Sequence, residues 1–328
     1  MIMQFFKKKA KSKGRVGLSI NSERLAFVHM EEKEGVPHLL NCQRIALESG
    51  KKAGEALNKL VKDLALEGTQ CSYVLSPKDY NLHLVEAPNV EPEELRQAIR
   101  WKMKDLLDMK VEDAAVDIFQ VPEDAYRGRE MVYVVAALNS RIKNIVQMVT
   151  DSGLELAVID IPELAMKNIA TRFIPDDNGI AFMDLRKTGS TMNISRGGAM
   201  YLTRRINTQL EPEVMQSPEW ETLKDRLVLE IQRSLDYYES QMGKGQITKM
   251  IILQRQHDTE AMVSALDQLL SAQVTSINLA DKIEFEAEIS TELLQICMAP
   301  IGACLRGSKK PESAADPEPT EPNEQEAA

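Results

Sequence analysis

Several features that would betray a chemistry are missing from this 328-residue chain. Its four cysteines, Cys42, Cys71, Cys297 and Cys304, are widely spaced, and no C-x-x-C pair occurs. This excludes zinc-ribbon and thioredoxin-like sites and points to reduced core cysteines in a cytosolic protein. The four histidines, His29, His38, His83 and His257, lack metal-ligand spacing. There is no P-loop, no G-x-S-x-G and no G-x-G-x-x-G. No apolar run approaches the roughly 18 residues of a membrane helix. Basic residues are outnumbered, with Lys+Arg 40 against Asp+Glu 50 and a net charge of −10. That balance excludes a general nucleic-acid binder, which carries a basic field.

What is present is a soluble, globular composition, 43% hydrophobic and 27% charged, long enough for two lobes. It is organised as an internal duplication. One copy begins RVGLSINSERLAFVHM at residues 15–30, the other GIAFMDLRKTGSTMNISRGG at 179–198. Each copy is an apolar strand, a short polar turn and a second alternating strand. A third strand follows each, Leu39 to Ile45 and Met200 to Ile206, and then an amphipathic helix. The turns are poor in glycine. They read Ser19-Ile20-Asn21-Ser22 and Asp184-Leu185-Arg186-Lys187. Two such units are the ground plan of the actin-like ATPase fold, an α/β architecture whose two strand-turn-strand corners hold nucleotide phosphates.

Further elements follow the same periodicities. A helix is expected over Ala53 to Glu67, stopped at Gly68, then a short strand over Cys71 to Leu75. In the second half the expected order is a helix over Glu219 to Met242, a strand over Met250 to Leu253, a helix from Asp258 to Ser271 capped by Asp258, and a strand over Val274 to Asn278. A closing helix over Thr291 to Leu305 is expected to break at Pro300. Between the halves lies a β-α-β-β-α insertion. Its first helix runs from Pro92 through Leu95, Ile99, Met103, Leu106 and Leu107, and its polar loop spans Pro122 to Arg129. The implied organisation is a basic leader (1–14), a first lobe (15–78), an inserted subdomain (79–153), a crossover (154–178), a second lobe (179–307) and an acidic tail (308–328). The leader offers weak attraction to an anionic membrane surface or simple solubility. The tail, rich in proline and acid, reads as disordered.

The corners, the insertion and the order of elements resemble the PilM family of type IV pilus assembly proteins, which shares the actin-like fold of FtsA with its extra 1C subdomain. VEAPNVEPEELRQAIRWKMKDLL, VYVVAALNSRIKNIVQMVTDSGLELAVIDIPELAMKNI, EIQRSLDYYESQ and APIGACLRG carry the resemblance over about residues 15–306. It is nearest to the degenerate MSHA-type members. The family resemblance implies a cytoplasmic protein peripheral to the inner membrane, docking a PilN-like membrane protein in a groove between the first lobe and 1C. Lack of a spanning stretch separates the chain from the similar secretion protein GspL.

The resemblance also implies ATP and Mg²⁺ as the possible cofactors, with Asn21, Ser22, Asp184, Thr188, Gly189 and Ser190 as a vestigial nucleotide site. The family's first corner usually has Asp and Gly where this chain has Ser19 and Asn21, Arg186 stands where a glycine is common, and Gln254-Arg255-Gln256 replaces a Gly-Gly turn. A β-carbon narrows a phosphate cradle, and losing a carboxylate removes support for magnesium. The expectation is therefore a non-enzymatic scaffold, with an active ATPase or sugar-kinase-like enzyme as the alternative. Leu82, Leu84 and Trp101 are the candidate partner-binding residues; Trp101, off the apolar stripe of its helix, would pack on the neighbouring lobe or meet a partner. Arg204-Arg205 reads as an exposed strand end.

Overall fold

A computed structural model describes residues 14–47, 53–176, 178–185, 190–206, 214–253 and 259–307. Two central sheets repeat one plan. In the first, β1 (Arg15–Ile20), β2 (Arg24–Lys33) and β3 (Val36–Ala46) form an antiparallel meander. Helix α1 (Ala53–Asp63) then leads to β4 (Gln70–Val74), parallel to β1. After the insertion, β8 (Glu155–Asp160) joins parallel to β4. In the second, β9 (Ile180–Asp184), β10 (Ser190–Arg196) and β11 (Ala199–Ile206) repeat the meander. Helix α5 (Trp220–Met242), β12 (Lys249–Leu253), α6 (Thr259–Asp267) and β13 (Gln273–Ile277) complete it. The orders β3-β2-β1-β4-β8 and β11-β10-β9-β12-β13 are the same, with the meander on one side and two parallel strands on the other.

The insertion is a separate three-stranded antiparallel sheet, order β5-β7-β6, built from β5 (Tyr80–Glu86), β6 (Ala114–Gln120) and β7 (Met131–Leu138). Helix α2 (Pro92–Lys102) precedes β6 and α3 (Asn139–Asp151) follows β7. Pro92 sits in the first turn of α2, where its missing N–H costs nothing, and Glu93 and Glu94 face the helix dipole. The helix is shorter than its stripe suggested. It ends at Lys102, and a 3₁₀ turn over Met103–Asp105 carries the chain on, so Met103 is buried while Leu106 faces out. The loop expected to be merely polar is not. Ala125 and Tyr126 are buried with Trp220, Leu227 and Leu235 in the second lobe's core.

Helix α4 (Pro162–Phe173) crosses between the lobes, and the chain then returns. The short strand β14 (Glu284–Phe285) adds parallel to β3, giving the first sheet a sixth member. Helices α7 (Thr291–Ile296) and α8 (Met298–Cys304) follow, and α8 packs on β1 and α4. Sequence order groups this segment with the second lobe; its packing is on the first. The helix break falls at Cys297, three residues before Pro300, because a proline in the first turn of α8 loses no hydrogen bond. The Asp258 cap, the basic leader and the acidic tail lie outside the described residues. Among the described residues no helix is long and apolar enough to cross a membrane.

Two glycines set how closely α8 approaches. A Cβ on Gly17 would lie 2.2 Å from the Pro300 carbonyl oxygen, and one on Gly302 2.2 Å from that of Ala165. Both obstacles are backbone, so no side chain can swing aside. Gly17→Ala or Gly302→Ala is therefore expected to lose about 1–3 kcal/mol of stability by overpacking. Gly54→Ala, whose Cβ meets only Met148 Cγ at 3.7 Å in α1, is expected to be neutral or slightly stabilising. Urea midpoints measure the contrast, and equal midpoints for all three would refute it.

Candidate functional site

At the first corner, between β1 and β2, Asn21 closes its own turn. Its Oδ1 accepts the backbone N–H groups of Glu23 and Arg24, each at 2.9 Å, and its own N–H donates to the Arg24 carbonyl at 3.0 Å. Ser22 at the tip is exposed. No residue from Ile20 to Arg24 has positive φ. A phosphate cradle needs free N–H groups converging on one point, often with left-handed backbone between them. Here the amides of Asn21, Glu23 and Arg24 all have acceptors within the turn, so none of the three is free to converge on a phosphate.

Asp184 ends β9 opposite Thr191, and it is buried together with Ser190 and Thr191. Thr188 and Gly189, at the turn itself, lie outside the described residues, as do Gln254, Arg255 and Gln256. Among the described residues no cluster of three His, Cys, Asp or Glu side chains could hold a metal ion.

A cleft of about 330 Å³ opens elsewhere, where the insertion, α4 and the second lobe meet. Leu82 and Leu84 on β5 and Tyr133 on β7 form one wall. Leu202, Thr203, Arg204 and Arg205 on β11 form the facing wall, with Glu163 and Tyr237 between. Both β5 and β11 are edge strands of their sheets. Glu163 is almost wholly buried in the first turn of α4, where the helix dipole favours a carboxylate. It accepts the Tyr80 hydroxyl and lies 3.6 Å from Arg205 Nε, while the Arg205 guanidinium stands 5.1 Å over the Tyr80 ring. Burial, followed by the negative charge of Glu163, raises the Tyr80 pKa, so the phenol stays a donor. Arg204 lies 4.8 Å over the Tyr237 ring, and the Tyr237 hydroxyl meets that of Tyr126 at 3.2 Å. The Thr203 N–H donates to the Tyr133 hydroxyl at 2.9 Å, on the outer edge of β11. Thr203 Oγ1 is buried with no hydrogen-bond partner among the described residues.

Leu82 and Leu84 thus share this cleft, but Trp101 does not. Its side chain on α2 is 63% exposed, so it does not pack on the neighbouring lobe. Arg204 and Arg205 are not a bare strand end, because they face the insertion across the cleft. Tyr80, Glu163, Thr203 and Tyr237 carried no sequence signal; the Arg-Arg doublet on a strand was the one available hint.

No protein-family model and no curated protein matches the chain. Among solved structures, a chain of a PilM–PilN type IV pilus biogenesis complex is similar, with 17% identity, 91% of this chain and 100% of that chain covered, and a TM-score of 0.69. The fold is actin-like. At that identity the likeness shows the fold alone. Two looser likenesses, each with a TM-score of 0.48, are the cytoplasmic domain of EpsL, an inner-membrane component of the Vibrio cholerae type II secretion system (13% identity, 87% of this chain, 94% of that one), and a Bacteroides thetaiotaomicron protein with an actin-like ATPase fold and unknown function (10% identity, 90% and 100%).

A second buried carboxylate sits beside the crossover. Asp160 ends β8, and its Oδ2 lies 3.0 Å from Arg306 Nη1. Burial raises the Asp160 pKa, and Arg306 opposes the rise without cancelling it. With its folded pKa above the unfolded value of about 3.9, the group contributes stability that is full below the unfolded pKa and is lost as pH rises through the folded one. The stability of wild type relative to Asp160→Asn is therefore expected to grow between pH 7 and pH 4. Urea denaturation of both proteins at the two pH values measures this, and a constant difference would show the carboxylate is not destabilised by burial.

Proposed function

We propose that this chain is a non-enzymatic docking protein of a type IV pilus assembly platform, of the MSHA type, held at the cytoplasmic face of the inner membrane. Its partner is the cytoplasmic segment of a PilN-like membrane protein. The observation that carries this reading is the cleft between two sheet edges. An extended segment laid along β5 or β11 would gain main-chain hydrogen bonds from the free edge and seat an apolar side chain against Leu82 and Leu84. The actin-like frame common to this chain and the PilM–PilN complex supports the choice of partner. The self-closed first corner supports a degenerate nucleotide site, since the amides that would hold a phosphate are occupied by Asn21.

The test is capture of the PilN-like protein's N-terminal cytoplasmic peptide by the full chain. Binding is expected without nucleotide and is expected to fall at least about tenfold on Leu84→Asp, which puts a charge against an apolar contact. No binding with or without ATP would end the docking proposal. Calorimetry with Mg-ATP tests the other half. Micromolar binding that is lost on Asp184→Ala would favour the active ATPase instead.

A further inference from the structure

The cleft is more cationic than a purely apolar docking groove needs to be. Arg204 makes no ion pair among the described contacts and rests only on the Tyr237 ring. Arg205 is held to Glu163 at a loose 3.6 Å and is 44% exposed. Glu163 itself already accepts the Tyr80 hydroxyl. Two guanidiniums therefore face one buried carboxylate, with a net positive charge left on the wall. Thr203, on the same wall, has an Oγ1 that is buried and without a hydrogen-bond partner among the described residues. A buried hydroxyl without a partner is costly and is an open donor for an acceptor that enters the cleft.

The described structure ends at Gly307. Arg306, one residue earlier, is pinned through its side chain to Asp160, which precedes Glu163 by three residues. Beyond Gly307 the sequence carries Glu312, Asp316, Glu318, Glu321, Glu324 and Glu326, and from residue 311 onward no Lys or Arg. Residues 308–328 have a contour length of about 70 Å at full extension, which sets the reach of the segment.

We propose that residues 308–328 dock in this cleft in cis, placing acidic side chains on Arg204 and Arg205 and a carboxylate oxygen within reach of the Thr203 hydroxyl. Guanidinium–carboxylate pairing supplies the recognition. The tether supplies an effective concentration on the order of millimolar, so even a weak contact is populated. The tail then acts as a competitor for the cleft. That regulatory consequence rests on the docking function proposed above, whereas occupancy by the tail does not.

The probe is a fluorescein-labelled peptide of residues 308–328, followed by fluorescence anisotropy. It is titrated into the full chain and into the full chain with all six acids neutralised (E312Q, D316N, E318Q, E321Q, E324Q, E326Q). The neutralised chain is expected to bind the peptide at least about tenfold more tightly than wild type, because its own tail no longer competes. Arg204→Gln in the neutralised chain is expected to abolish most of that binding. This change leaves the Glu163–Arg205 pair intact, and an unchanged melting temperature confirms the fold. Equal binding to both chains, no binding to the neutralised chain, or binding indifferent to Arg204→Gln would each overturn the proposal. The PilN-like peptide is run in parallel on the same proteins. If the tail peptide binds and the PilN-like peptide does not, the docking function fails and tail occupancy stands. The reverse result sinks the tail and leaves docking intact.

Discussion

Helix α8 can lie where it does only because two backbones are bare at the point of contact. Gly17 admits the Pro300 carbonyl, and Gly302 admits the Ala165 carbonyl. Through that close approach, one C-terminal helix contacts both the central strand of the first sheet and the crossover α4. The surrounding core draws on both lobes, joining Val28 and Leu39 of the first to Phe182 and Leu253 of the second, with Ile301 and Met298 between them. The sheets therefore do not meet as two independent bodies. Close-packed interiors transmit such constraints, because there is little free volume to absorb a shift.

The position of α4 in turn decides where the cleft can form. Glu163 stands in its first turn, and a buried carboxylate must be held by donors. Tyr80 comes from the insertion, Arg205 from the second lobe. This three-body contact closes one end of the cleft. The insertion is fastened again at the other side, where Asp124 accepts the Tyr201 hydroxyl at 2.8 Å and pairs with Lys244. The Lys244 hydrogen bond, more than burial, sets the direction of the Asp124 pKa, which is lowered. The insertion is thereby locked to the second lobe as well as to the strands that flank it in sequence, and a cleft between sheet edges is what that locking leaves open.

Individual elements show where sequence was sufficient. The helix α5 repeat of Leu223, Leu227, Ile231, Leu235 and Tyr238 marked its inner face, and Leu227, Ile231, Leu235 and Tyr238 are buried. The two meanders were legible because alternation in each strand is a local property. The end of α2 was not, since Leu106 and Leu107 continue the helical spacing while the backbone turns 3₁₀ at Met103. Nor was the two-residue strand β14, which owes its existence to the edge of β3. Ala125 and Tyr126 read as loop residues because burial of a loop depends on what it meets, here the second lobe's core.

The amino-acid sequence by itself determined the duplicated strand plan, the position of the insertion and the scarcity of glycine at the corners. These follow from local periodicity and from what a β-carbon allows. Tertiary structure alone decided that Trp101 stays in solvent while Leu82 and Leu84 line a cleft, and that Tyr80, Glu163 and Arg205 converge. Those residues stand apart in sequence, and only the packing of α8 on α4, and of the insertion on the second lobe, brings their charges within range of one another.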